Sequence, residues 1–232
     1  MSGSPPADGE AAAGPLGAVV FDFDGLILDT EMPEYLTVSA AFAEHGVDLR
    51  LDDWLAVIGR GDNRHWLDWL EEEVGAPIER EVVHARRLAE HHAMIAEKEV
   101  LPGVVDILDQ AEALAVPALV ASSSPRYWVV DHLQRLGLHH RFVGIFCRDD
   151  VVRAKPWPDL YLAAVAAVGV APAQAVAFED SFNGSLAATD AGLYCVVAPN
   201  ELTRSQDFAH CDLVVGSLAD VDLTELSRRL AR

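Results

Sequence analysis

Two aspartates one residue apart, Asp22 and Asp24, close a short apolar run and are followed by Gly25. A carboxylate in such a place can attack phosphorus and form an acyl phosphate. A second carboxyl two positions on can hand a proton to the leaving oxygen. Further along come three hydroxyls, Ser122, Ser123 and Ser124, ahead of Pro125 and Arg126; then Lys155; then the adjacent pair Glu179 and Asp180. Four carboxylates cannot share a small volume without a cation, and an all-oxygen donor set suits a hard ion, above all Mg²⁺. Ser122 and Lys155 are suitable donors for the charge on a transferring phosphoryl group.

The elements that would bring these residues together can be read from the apolar runs. Runs at 18–22, 117–121, 144–146, 175–178, 193–197 and 213–215 are each bounded by turn-forming or polar residues. Helical patterns lie between them at 103–115, 125–136, 158–168 and 183–191. Strands alternating with helices predict an α/β fold, a doubly wound, Rossmann-like parallel sheet covered on both faces. Ligands of such sheets bind beyond the carboxyl ends of the strands, which is where every polar cluster above falls. Residues 31–100 break the alternation. They are almost wholly helical in pattern and far exceed one crossover, so they predict an inserted helical module. The predicted organisation is a disordered tail over 1–16, a core formed by 17–31 and 100–232, and a helical insert over 32–99.

Composition excludes several classes. The 232 residues carry a net charge of −20, which argues against nucleic-acid or anionic-membrane partners. Residues 160–178 lack charge, but Gly169, Pro172 and Gln174 divide them into helix, turn and strand instead of a membrane span. The start has neither the basic end nor the apolar stretch of a secretory signal. Cys147, Cys195 and Cys211 have no metal or redox spacing, which fits a reducing, cytoplasmic location, and the chain is expected to be a monomer. An anionic substrate in so acidic a chain requires a metal and basic residues close to the chemistry.

Taken in order, DFDGLILDTE, ASSSPR, AKPWPDLY and FEDSFNG resemble the four signature motifs of the haloacid dehalogenase superfamily. The insert after the first motif resembles the cap of its β-phosphoglucomutase-like branch. The resemblance covers about residues 17–200 and implies a role for each matching position. Asp22 is the nucleophile; Asp24 is general acid and then base, with its carbonyl on Mg²⁺. Gly25 allows the turn into the flap. Ser122 and the amide of Ser123 hold phosphoryl oxygens, and Lys155 neutralises charge. Glu179 and Asp180 hold the metal, Asp180 the more directly. Ser124 and Arg126 are expected to contact substrate or a second phosphate. Arg60 and Arg64, in the cap segment IGRGDNRHW, are candidates to reach over the substrate.

Other readings attach to the same residues. Asn183 reads as a helix cap, and Trp54, Trp66 and Trp69 as cap core. His84, His91 and His92 share a helix face that reads as solvated, since no second cluster supports zinc. Within the resemblance, the dehalogenase and phosphonate-hydrolase branches lack an aspartate at the Asp24 position, so Asp24 implies phosphate esters. The mutase carries a histidine near Glu34, where this chain is acidic, which favours hydrolysis. The expected activity is hydrolysis of a small phosphorylated metabolite, a sugar or polyol phosphate. The alternatives are a phosphomutase and a catalytically silent binding protein.

Overall fold

The computed structural model describes residues 16–61 and 64–231, so the tail expected over 1–16 lies outside the described residues apart from Leu16. Six parallel strands form one sheet: β1 (Ala18–Phe21), β2 (Ala118–Ser122), β3 (Gly144–Cys147), β4 (Ala175–Glu179), β5 (Tyr194–Val197) and β6 (Leu213–Val214). Their order is β3-β2-β1-β4-β5-β6. The chain first fills one side of β1 and then the other, which makes β1 the switch point of the sheet. All six predicted apolar runs become strands.

Successive residues of a strand face opposite sides of the sheet. On one side Val19, Phe21, Val120, Val176, Phe178 and Val196 meet helices α5 (Val104–Ala113), α6 (Arg126–Arg135) and α9 (Leu223–Leu230). On the other side Ala18, Val20, Ala121, Ala175 and Ala177 meet α7 (Asp159–Ala167) and α8 (Phe182–Asp190). The second side is built of smaller side chains, and α7 answers with its alanine-rich sequence DLYLAAVAA. Burial on both faces explains why the strands read as continuous apolar runs. The helical pattern read from the sequence stops at 191. Helix α9 lies beyond it and buries Leu223, Leu226 and Leu230 from a single stripe.

Between β1 and α5 lie four helices: α1 (Glu31–Glu44), α2 (Leu51–Leu55), α3 (Trp66–Val74) and α4 (Arg80–Ala96). They form a helical cap with its own apolar cluster, including Val38, Phe42, Trp54, Trp66, Leu70 and Val83. Trp54 and Trp66 are therefore cap core. The two strands of chain joining cap to core meet at Leu28, which bridges Val100, and the Leu101 amide donates to the Ile27 carbonyl at 2.9 Å. No helix among the described residues is long and apolar enough to cross a membrane.

Leu119 is fully buried on the small-residue side of β2. Leu119→Ala should lower the unfolding free energy by about 2–5 kcal/mol, because the sheet cannot collapse around the lost volume. Denaturant unfolding checks this; a change under about 0.5 kcal/mol would place Leu119 outside the cooperative core.

Candidate active site

The carboxyl end of β1 is where the four sequence motifs meet. β1 ends at Phe21, and the Asp22 amide still pairs with the Phe178 carbonyl of β4 at 2.9 Å. That bond fixes the backbone of Asp22 against the strand that delivers Glu179 and Asp180. The chain then turns at Gly25 with φ +78°; a side chain there would strike the Asp180 carboxylate, so glycine is required twice over. The Gly25 amide donates to the Leu28 carbonyl at 2.8 Å and closes the flap.

Lys155 sits at the centre. Its Nζ donates to Asp22 Oδ1 at 2.5 Å and to Glu179 Oε1 at 2.6 Å, with the side chain 1% exposed. Tyr161, from α7, donates its hydroxyl to the same Glu179 oxygen at 2.5 Å. The other Glu179 oxygen takes the Asp180 amide at 3.2 Å. Helix α8 starts immediately after, with Ser181 as its cap accepting from the Gly184 amide. Gly184 presses so closely on the Glu179 carboxylate that any Cβ would overlap it. Asp180 is held by the Asn200 side-chain amide at 2.6 Å.

Donor oxygens of Asp22, Glu179 and Asp180 lie within 4.8 Å of one another and are buried, a set able to hold a metal ion. Glu179 is already occupied by Lys155 and Tyr161. Asp180 and the Asp22 carboxylate therefore remain the better placed donors. Burial, reinforced by Glu179 and Asp24 and opposed by Lys155, pushes the Asp22 carboxyl up to about 8. Burial and then Asp22 and Glu179 raise Asp180 well above the ordinary range. Burial pulls Lys155 down, but Asp22 and Glu179 outweigh it and hold the ammonium above its usual value. One lysine does not balance three ionised carboxylates, and a divalent cation would offset the remaining charge.

Asp24 points to the other side of the turn. Its Oδ1 accepts from Thr30 Oγ1 and Trp128 Nε1, both at 2.9 Å, and its Oδ2 from Ser124 Oγ at 2.6 Å and Ser122 Oγ at 3.3 Å. Ser122 also accepts the Ser124 amide at 3.0 Å. Ser123 turns its hydroxyl to the cap, donating to the Gly59 carbonyl at 3.0 Å.

Between cap and core lies a cleft of about 940 Å³, reached by Asp22, Asp24, Ser122, Ser123 and Ser124 from below and by Glu31, Glu34, Arg60, Arg64, Arg87 and His91 from the cap. Arg64 lines it, but its guanidinium bonds the Asp68 carbonyl and pairs with Glu72. Arg126 does not line it. Its guanidinium goes to the Ile145 carbonyl at 2.8 Å and Asp150 at 2.5 Å, which turns it away from the cleft.

Further residues have roles that differ from the sequence reading or went unread. Asn183 does not cap α8: Ser181 does, and Asn183 donates to the Ile58 carbonyl at 2.7 Å and the Ala56 carbonyl at 3.2 Å. His91 is not solvated. It is buried, with Nε2 3.0 Å from Glu34, and burial, then Arg87 and His92, lower it to about 4. Arg87 is buried with it and pairs with the same Glu34. Tyr161 was unread because a tyrosine in an apolar helix looks like packing; its place six residues after Lys155 was the available signal.

The haloacid dehalogenase-like hydrolase family model matches residues 16–192. The chain belongs to this family. It is 41% identical over 209 residues to YhcW of Bacillus subtilis (strain 168), provisionally named a phosphatase, covering 90% of this chain and 95% of that protein. It is 30% identical over 205 residues to the validoxylamine A 7'-phosphate phosphatase of Streptomyces hygroscopicus subsp. limoneus, covering 87% and 94%. A crystal structure of a CbbY variant from Rhodobacter sphaeroides in complex with xylulose-(1,5)bisphosphate superimposes with TM-score 0.67 at 27% identity, covering 88% and 96%. With this family and these relatives, the chain is a phosphate-ester hydrolase.

The raised carboxyl of Asp22 has a consequence for stability. A group whose folded value exceeds its unfolded one, here 3.8, stabilises the fold at low pH and loses that contribution as pH climbs to about 8. Chelator-treated protein should therefore show a falling denaturant midpoint across that window, and saturating Mg²⁺ should flatten the fall. A midpoint that rises over the same window without metal would contradict the charge shortage described above.

Proposed function

We propose that this protein is a Mg²⁺-dependent phosphatase that hydrolyses a small sugar or polyol phosphate through an aspartyl-phosphate on Asp22. The observation that supports this most is the division of labour at Asp22. Oδ1 is held by buried Lys155, Oδ2 accepts no hydrogen bond among the described residues, and Asp22 lines the cleft. A carboxylate fixed by one oxygen and open at the other is prepared to attack.

Asp22 Oδ2 forms a bond to phosphorus as the ester oxygen departs, and that oxygen takes a proton from Asp24. A water then attacks the acyl phosphate and gives its proton to Asp24, so that inorganic phosphate leaves and both aspartates are restored. Lys155 and Ser122, with the Ser123 amide, carry the phosphoryl charge. Mg²⁺, held by Asp22, Asp180 and the Asp24 carbonyl with Glu179 behind them, would supply the countercharge that lets an anionic ester approach. Gly25 allows the tight turn past Asp180 that leads from the two aspartates into the flap. Ser124 acts through Asp24, to which it donates, and Arg60 and Arg64 on the cap wall are the candidates to meet the rest of the substrate. The sugar-like reading draws support from the phosphorylated compounds named for the two relatives above.

Turnover of p-nitrophenyl phosphate should require Mg²⁺ and stop in chelator. Asp22→Asn should fold normally and lose on the order of 10³-fold or more in kcat, since no other group can form the acyl phosphate. Near-native turnover by folded Asp22→Asn would remove Asp22 from the nucleophile's role. A panel of sugar and polyol phosphates would then order the substrates by kcat/KM.

A further inference from the structure

Trp128 stands two residues into α6, on the core, yet most of its ring neighbours belong to functional elements. Its indole Nε1 donates to Asp24 Oδ1 at 2.9 Å. One ring face lies parallel to His91 of cap helix α4, at 5.5 Å between centroids and 12° between planes, with His92 at 6.2 Å and 24°. The edge of His132, one turn further along α6, meets it at 4.2 Å and 74°. His132 in turn stacks at 6.3 Å on Phe23, the residue between the two aspartates. One indole thus touches the carboxyl expected to move protons and the cap helix that covers the cleft. We propose that Trp128 is a positioning residue for Asp24, and that cap helix α4 bears on that carboxyl through it.

The physical case has two parts. A carboxylate that must serve as acid and then as base gains from a fixed direction, because proton transfer depends on donor–acceptor alignment. Thr30, Ser122 and Ser124 donate through hydroxyls that can rotate; the indole N–H cannot, since it lies in a ring with a single orientation. It is the one rigid donor to Asp24 among the described residues. The stacked faces supply the second part. An indole stacked on His91 and met by the edge of His132 cannot tilt without parting from His91. Seating α4 therefore sets the indole, and the indole sets Asp24. The proposal rests on Asp24 being the proton-transfer group of a phosphatase.

Two esters separate a positioning role from simple packing: p-nitrophenyl phosphate, whose leaving group needs little protonation, and phenyl phosphate, whose leaving group needs more. Trp128→Phe keeps a ring and removes the N–H. It should lower kcat/KM, which reports the step in which the leaving group departs, by ~10–100-fold on phenyl phosphate, below the full loss of a general acid, with a much smaller loss on p-nitrophenyl phosphate. In an Asp24→Asn background the same change should cost nothing further, because the group it positions no longer transfers a proton. His91→Leu, which leaves Trp128 in place, should show a smaller loss with the same preference for phenyl phosphate and the same disappearance in the Asp24→Asn background. It serves as an independent arm if Trp128→Phe does not fold. Equal losses of kcat/KM on both esters, or losses that add in the Asp24→Asn background, would reduce Trp128 to packing. One readout needs no activity at all: the indole N–H resonance of Trp128 should shift in Asp24→Ala, and a resonance that stays put overturns the proposal. Wild-type protein that turns over neither ester with Mg²⁺ would instead refute the phosphatase reading, with the resonance still deciding the contact.

Discussion

The structure around β1 depends on a buried ammonium placed between two buried carboxylates. Removing water from Lys155, Asp22 and Glu179 is costly for each ion, and only mutual pairing with further hydrogen bonds offsets that cost. Tyr161, the Asp180 amide and the close approach of Gly184 complete the arrangement around Glu179. The resulting excess of negative charge is local. A phosphate can still approach despite the chain's overall −20, because fields from distant surface groups are screened over ~10 Å. What a phosphate meets is the lysine, the helix start at Ser122–Ser124 and any bound cation, instead of the global charge.

The second constraint is the joining of cap to core. The backbone of the segment from Leu55 to Gly61 is pinned at five points. Asn183 takes the Ala56 and Ile58 carbonyls, Gln206 the Leu55 carbonyl at 2.9 Å, Ser123 the Gly59 carbonyl, and the Gly61 amide donates to the Lys155 carbonyl at 2.9 Å. Gly59, with φ +78°, and Gly61 lie so close to Ser181 and Ala154 that neither has room for a side chain. The carbonyl of the lysine that holds Asp22 thus also anchors the cap, which ties the charge cluster to the lid above it.

Much of this could be read in the sequence, for identifiable reasons. Strands buried on both faces leave unbroken apolar runs, and a parallel sheet gathers their polar ends on one edge; those two facts located Asp22, Asp24, Ser122, Lys155, Glu179 and Asp180 before any coordinates. Residues whose role is set by a distant partner were not legible. Asn183 sits at a helix start, where asparagine ordinarily caps, and only the folded chain reveals that Ser181 has taken that task. His91 and Arg87 look like the solvated side of an acidic, basic and histidine-rich helix. Their burial follows from Glu34 of α1 and Trp128 of α6 closing over them, pairings separated by 57 and 37 positions for His91 that no local pattern records.

The backbone character of the cap's anchorage separates two properties that proteins often couple. A hydrogen bond to a carbonyl is indifferent to the side chain on that residue, and each such bond contributes only about 0.5–1.5 kcal/mol net. A loop held this way can exchange side chains it shows to the cleft while still seating on the same five bonds. Lineages could therefore drift from one ester to another by substituting single positions in this loop, with no loss of fit between lid and base.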